Sequence, residues 1–516
     1  MRPFTRVKNI NGIDYVYEIT PYYDAATKKT RQRSKYLGKL IDGEAKRVRK
    51  ALPRNAFDYG DLLPALKIVR DLDLDSMLDR LLPEDKARTA LALAVNRVVD
   101  PCSVSNVKTW YERTFLSREW GDLPLSSQTL SDFFAALGGS SIPEQFTELL
   151  LDNVGRQGPL LYDITSFSSS SKLLETLEYG HNRDGDGLPQ MNLSIIAHKT
   201  LGIPLGFQTY PGSIADVSTI RNTVALLRSL GLDAPVLIMD RGFYSQSNLA
   251  DILSAGYDFI MPAPMRLDEA KSIVSKSHAE IEDAAYLRKL ENETFFVKEV
   301  TLRLGELDVD GYLYYDLRRE QEEKTSFYEW LDRVKTRLES RDVRPWQSPA
   351  RVFEEEAGAL AQYFGWKLDG RRFIVDVKKK AVSARLNRAG KMIILHSGRH
   401  SWQECLSWSR ERDIIEKMFY SLKNDLASLP LRAQKVDVVK GTIFVNFVAL
   451  IVRSRLLALM RSSGLCRDHS LPSIMLELSK VRRMELPDGS FVTGEVTKRQ
   501  RKIIEALELD LDRPCA

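Results

Sequence analysis

The sequence predicts a mixed α/β fold: a sheet-bearing core entered from a helical region and interrupted by an insertion. Three observations carry this. Short apolar runs at 159–165 (PLLYDIT), 191–198, 203–210, 235–239 (PVLIM) and 257–261 (YDFIM) read as strands. Helical stretches at 213–230 and 245–255 alternate with them, the order expected of a mixed sheet carrying helices. That rhythm stops at 266 and resumes at 392–395 (MIIL), with a long helix around Glu416 after it.

The elements give six units: 1–56, 57–150, 151–265, 266–389, 390–465 and 466–516. Residues 13–20 follow an Asn-Gly turn signal and are β-branched and aromatic, so 1–56 reads as a small β unit. From Lys28 to Lys50 ten lysines and arginines face two acids, which reads either as a solvated loop or as an arm that contacts phosphates. Residues 57–150 read as several short helices, among them an Ala-, Leu- and Val-rich run at 87–99 stopped by Asp100-Pro101. This pattern suits a helical DNA-binding region and also any small bundle. Strand-like pieces at 295–302, 311–317 and 372–377 among polar helical stretches make 266–389 an inserted, β-rich domain. The tail from 466 reads as charged and mostly helical.

Composition bounds the function. Across 516 residues, 43% are hydrophobic and 28% charged, which supports a large buried core and several structural units. A net charge of +5 is too small to identify a polyanionic partner unless it is clustered. Cys102, Cys405, Cys466 and Cys515 have neither metal-ligand spacing nor the density of a disulfide scaffold, so a reducing, cytoplasmic compartment is expected. The first twenty residues hold no apolar core of signal-peptide type. The most apolar stretch, 442–452, ends at Arg453 and is too short to span a bilayer, so a buried helix is expected. A Gly-rich phosphate loop with Lys-Ser/Thr and a His-Glu-x-x-His helix are both missing, which leaves nucleotide hydrolysis and zinc peptidase chemistry without support.

Three carboxylates stand out. Asp163 and Asp240 each fall at or just inside the end of a short apolar strand, where an aspartate is disfavoured and an unpaired buried charge is costly. A shared cation would explain both, although each could simply cap a turn, and Asp240 could pair with Arg241. On a helix Arg412, Glu416 and Lys423 lie within about 40° of one another, opposite Ile414, Ile415, Met418, Phe419, Leu422 and Leu426. The plain alternative is an i,i+4 surface salt bridge. Oxygen-only ligands suit Mg2+ or Mn2+, and two such ions serve phosphoryl transfer, with the flanking cations on DNA phosphates.

At these residues the chain resembles DDE transposases of bacterial insertion sequences, in the branch with a β-rich insertion before the catalytic Glu. The resemblance rests on LLYDITSFS with Asp163, VLIMDRGFYSQSNLADILSAGYDFIM with Asp240, and KMIILHSGRHSWQECLSWSRERDIIEKMFYSLKNDL with Glu416. IDYVYEITPYYD, KTRQRSKYLGKL, NRVVDPCS and YGHNRDGDGLPQMNLSIIAHKTLGIPLGFQTYPGSIAD extend it over nearly the whole chain. The family's signature helix spaces Tyr, Arg, Glu and Lys as Arg412, Glu416 and Lys423 are spaced here, with Ser409 in place of the Tyr and Asp413 in place of a Trp.

The resemblance implies a ribonuclease H-like core and a catalytic triad of Asp163, Asp240 and Glu416 holding two Mg2+ or Mn2+ ions. It also implies DNA contacts by Arg412, Lys423 and Arg241, double-stranded DNA as partner (terminal inverted repeats and target), and a homodimer in the DNA complex. Two rivals remain: a nuclease that cuts without joining, and a catalytically inactive DNA-binding regulator. Loss of a triad carboxylate would favour the regulator, and none is lost.

Overall fold

The computed structural model describes residues 2–10, 13–24, 27–41, 43–46, 53–168, 177–178, 189–214, 216–232, 235–426 and 435–512. The Asn-Gly pair at 11–12, the basic residues 47–50, the stretch 179–188 and Cys515 lie outside the described residues.

Strands β1 (Phe4–Ile10), β2 (Ile13–Asp24), β3 (Lys29–Ile41) and β4 (Glu44–Lys46) form an antiparallel sheet in sequence order. Much of the basic segment is therefore a paired strand, not a loop. β5 (Asn55–Asp58) belongs elsewhere, as shown below.

A nine-stranded sheet forms the centre. Its strands are β6 (Leu160–Ser168), β7 (Gln190–His198), β8 (Ile203–Pro211), β9 (Val236–Ile238), β10 (Asp258–Pro262), β11 (Leu287–Leu290), β12 (Glu293–Leu304), β13 (Leu307–Tyr315) and β16 (Lys391–His396). Their order is β11-β12-β13-β16-β10-β9-β6-β7-β8. β9 runs parallel to β6 and β10, and the remaining pairs are antiparallel. The mixed α/β expectation holds.

The insertion expected over 266–389 needs correction. β11 to β13 extend the central sheet, because β16 pairs with β10 along one edge and β13 along the other. A separately packed hydrophobic cluster is confined to residues between Phe327 and Val382. It is mainly helical: the helices Leu317–Ser340 and Pro349–Ala357 pack on the hairpin of β14 (Phe364–Asp369) and β15 (Arg372–Val377). The tail also differs from expectation. β17 (Arg482–Glu485) pairs with β18 (Phe491–Thr493) and with β5, so the C-terminal segment returns to residues 55–58.

The helices between Leu62 and Val154 pack with helix Val436–Ser462 into the same core as the central sheet. That helix is long and apolar enough to cross a membrane by length and composition, yet 78% of its most apolar window is buried inside the fold. Helix Ser127–Gly138 crosses it at glycine. A Cβ on Gly441 would stand 2.0 Å from the carbonyl oxygen of Phe134, and one on Gly138 would stand 1.9 Å from that of Asp437. Only glycine permits so close an approach of two backbones.

Where β5 meets these helices, Asp61 is buried and its Oδ1 has no hydrogen-bond partner. Burial, with the Asp58 carboxylate beside it, pushes its pKa up to about 6. A carboxyl with a raised folded-state pKa stabilises the fold below its unfolded pKa and loses that contribution as pH rises through about 6. Asp61→Asn should therefore raise stability above pH 6 by about 1 to 3 kcal/mol and flatten the pH dependence below it. Urea unfolding across this range checks it; an unchanged pH profile would refute the assignment.

Candidate active site

The geometry starts from the parallel register of two short stretches. Leu160 of β6 lies opposite Leu237 of β9, and Leu161 opposite Ile238. β9 ends at Ile238, but continuing that register two residues brings Asp163 level with Asp240 on adjacent strand paths. Neighbouring strands run about 4.8 Å apart, so two aspartates separated by 77 positions become neighbours. Asp163 sits well within β6, opposite Ile195 of β7, and not near a strand end as its short apolar run indicated. The continuation Ser166-Phe167-Ser168 is also paired strand, which the polar serines hid.

Asp240 instead follows its strand and caps a short turn, Arg241–Phe243. Its Oδ1 accepts from the Arg241 backbone amide at 2.6 Å. Asp163 Oδ1 accepts from the Ile164 amide at 2.8 Å. The turn-cap alternative is thus literally true of Asp240, without exhausting its contacts.

Glu416 comes from the far side of the sequence. The expected long helix is broken into Trp402–Arg410 and Asp413–Tyr420, followed by a π-helical turn at Ser421–Asp425. Ile415, Met418 and Phe419 bury one face of the second helix, which packs on β6. Arg412 occupies the break. Its guanidinium reaches Glu416 Oε1 at 2.7 Å, Asp240 Oδ1 at 3.0 Å and Asp163 Oδ2 at 4.0 Å. The three carboxylates singled out from sequence therefore converge on one cation. The i,i+4 pair is real, but it is one spoke of a three-way cluster.

Exposure grades across the cluster. The side chain of Arg412 is 14% exposed and that of Asp163 12%, while Asp240 is 39% and Glu416 58% exposed. The Nε of Arg412 is buried and has no hydrogen-bond partner. Three anions around one guanidinium leave two negative charges in excess, and every donor is an oxygen, so the set fits hard divalent cations such as Mg2+ or Mn2+. Among the described residues no three His, Cys, Asp or Glu groups are gathered closely enough to hold an ion, and the Arg412 guanidinium lies among the three carboxylates.

The remaining predicted residues are near but separate. Lys423 lies in the π-helical turn, its ammonium 5.8 Å from the Phe167 ring. Phe167 is on β6 four residues beyond Asp163, hence on the same sheet face. Arg241 is exposed, and its side chain makes none of the contacts that join the carboxylates. Ser409 lies in the helix before the break, and Asp413 pairs with Lys417.

Two buttresses were not legible in the sequence. Lys199, in the β7–β8 turn, binds Glu411 at 2.8 Å and lies 5.2 Å from the Trp408 ring, which fixes the chain just before Arg412. Arg453, inside the long apolar helix, donates to Ser421 Oγ at 3.2 Å and Asp425 at 2.5 Å, pinning the turn that carries Lys423. A charged residue within an apolar helix was the one visible signal for the second; Lys199 had none.

No curated protein matches the chain. A solved structure of the piggyBac transposase synaptic complex with hairpin DNA is similar at 11% identity and a TM-score of 0.38, over 84% of this chain and 78% of that one. That likeness is too remote to bear on fold or function. The transposase DDE domain family matches residues 158–452, more than half of the chain, from just before β6 to the residue before Arg453. The span takes in Asp163, Asp240, Arg412 and Glu416, and the chain belongs to the transposase DDE domain family.

Proposed function

We propose that this chain is a DNA transposase that cuts the ends of a mobile element and joins them to target DNA, with Asp163, Asp240 and Glu416 as its catalytic carboxylates. The observation that carries the proposal is the convergence of those three carboxylates on Arg412, from three elements far apart in sequence and inside the matched domain. The arrangement of residues 151–265 and 390–465 is read as a ribonuclease H-like core, with two ions, Mg2+ or Mn2+, held by the triad. When bound, such a pair activates the attacking oxygen and stabilises the leaving one in phosphoryl transfer.

The chain's own residues supply the rest. In the first step a water oxygen attacks the phosphorus at the element end, and the 3′-oxygen departs as a 3′-hydroxyl. In the second step that hydroxyl attacks a target phosphodiester, so one P–O bond forms as another breaks. No protein–DNA bond is needed. Asp163, the most buried carboxylate, fixes the floor of the site; Glu416, the most exposed, faces the incoming strand. Arg412 offsets part of the carboxylates' charge in the free protein and must turn away before cations can take its place, which directs its guanidinium toward DNA phosphates. Lys423 and Arg241 are further phosphate contacts. The acting form is proposed as a cytoplasmic homodimer on double-stranded DNA bearing terminal inverted repeats.

A strand-transfer assay tests this. Duplex carrying the DNA that flanks the gene, supplied with supercoiled target and Mg2+ or Mn2+, should yield joined products. Cleaved ends without joined product would leave a nuclease; binding without cleavage would leave a regulator.

A further inference from the structure

We infer that the N-terminal sheet is a duplex-DNA-binding surface, with the β2–β3 ribbon as its contact element. The inference rests on the transposase reading for the identity of the polyanion, and on the sheet for the place. Residues 1–50 hold thirteen lysines and arginines against five acids, a net +8, whereas the whole chain is only +5. The other 466 residues are therefore net −3. The helical segment 57–150, where DNA binding was expected, holds nine basic residues against fifteen acids. That net −6 opposes a phosphate backbone.

The pairing register turns charge into a surface. Lys29, Arg31, Arg33 and Lys35 alternate along β3 and so project from one face, opposite Asp24, Tyr22, Thr20 and Glu18 of β2. Arg31 is engaged by Asp24 at 3.1 Å, and the Arg33 guanidinium lies 4.9 Å from the Tyr22 ring. The row spans about 20 Å at roughly 3.4 Å per residue, enough to follow one strand for several nucleotides. The opposite face carries Arg6, Lys8 and Lys39 beside Phe4, Tyr17 and Tyr15.

Residues 29–36 of β3 are exposed. Val16 and Ile19 are the sheet's buried apolar residues, and neither belongs to the two hydrophobic clusters. A two-stranded ribbon fits the major groove, and strands of 12 and 13 residues are long enough to reach into it from the backbone. A second copy of the chain would meet the same positive row and be repelled, which favours the polyanion.

The test uses the full chain. Lys29→Gln, Arg33→Gln and Lys35→Gln are combined, leaving the paired Arg31 in place, and compared with Lys498→Gln, Arg499→Gln and Lys502→Gln combined. The second set removes the same charge from exposed C-terminal positions. Fluorescence anisotropy with element-end and random duplexes is read over a salt series, and hydrogen exchange of β2–β3 amides is read with and without duplex. Three lost phosphate contacts should lower the salt slope by about 2.7 and weaken binding roughly 100-fold at 0.1 M salt, for both duplexes. The C-terminal set should bind as the parent does, and duplex should slow exchange in β2–β3. Circular dichroism melting confirms that the sheet variant is folded.

An unchanged slope, an equal loss in the C-terminal set, tighter binding of single strands or RNA than of duplex, or concentration-dependent dimerisation lost in the sheet variant would each overturn the inference. Strand transfer by the parent separates the two readings. If the parent joins ends while the sheet variant binds normally, only the sheet assignment fails. If the sheet binds duplex but the parent never cuts, only the transposase reading fails.

Discussion

Asp163→Asn, Asp240→Asn and Glu416→Gln should each lower cleavage of an element-end duplex by more than about 100-fold. That corresponds to roughly 3 kcal/mol or more of transition-state stabilisation at about 1.36 kcal/mol per tenfold. Each keeps the shape of the side chain and removes the negative charge that would hold a cation. Binding to the same duplex should stay within a few fold, because losing an anion lessens repulsion toward phosphate. Lys423→Ala should show the opposite split, with weaker binding and a salt slope shallower by about one. Gel-shift titration beside a Mg2+-dependent cleavage assay measures both. Full cleavage by Glu416→Gln would remove Glu416 from the site and reduce its contact with Arg412 to a surface ion pair.

Arg412→Met should have the second largest effect, and in two directions at once. Without cations it leaves Asp163 buried with its carboxylate neighbours and no guanidinium. Removing one partner of a buried ion pair costs about 3 to 5 kcal/mol. Asp240 and Glu416 are more than one third exposed, so solvent screening reduces the expected loss to about 1 to 2 kcal/mol. The same change clears the space between the carboxylates. Mn2+ should then bind the DNA-free variant about tenfold more tightly than the parent, and raise its Tm further than it raises the parent's. Calorimetric titration and thermal melts with and without Mn2+ check this. Equal Mn2+ affinity in the two proteins would show that Arg412 does not stand where a cation goes.

The contrast between Asp163 and β13 shows what can be read locally. Asp163 and Asp240 were visible as acids in or at the end of apolar strands, Glu416 only as an acid flanked by cations on an amphipathic helix, and the resemblance to the transposase motifs joined the three. The local signals act over a few residues and depend only on backbone period and the cost of burying charge. The alternation of strands and helices from 159 to 261 was visible for the same reason. The break at Glu411 and Arg412 was not, since 402–426 keeps helical periodicity and the interruption is fixed from outside, by Lys199 on Glu411 and by the carboxylates on Arg412.

The sequence by itself therefore singled out three carboxylates that the fold brings together, and the alternation of strands and helices from 159 to 261. The tertiary structure alone decided who meets whom. It set the register that places Asp163 beside Asp240, the union of β13 with β16 that draws residues 287–315 into the central sheet, and the return of β17 to β5. It also left the basic β3 face exposed on a sheet of its own. The physical reason is that a strand advertises its period and its apolar face, but its edge hydrogen bonds are chemically the same toward every partner. The choice among partners is made by the packing of side chains brought together from distant parts of the chain.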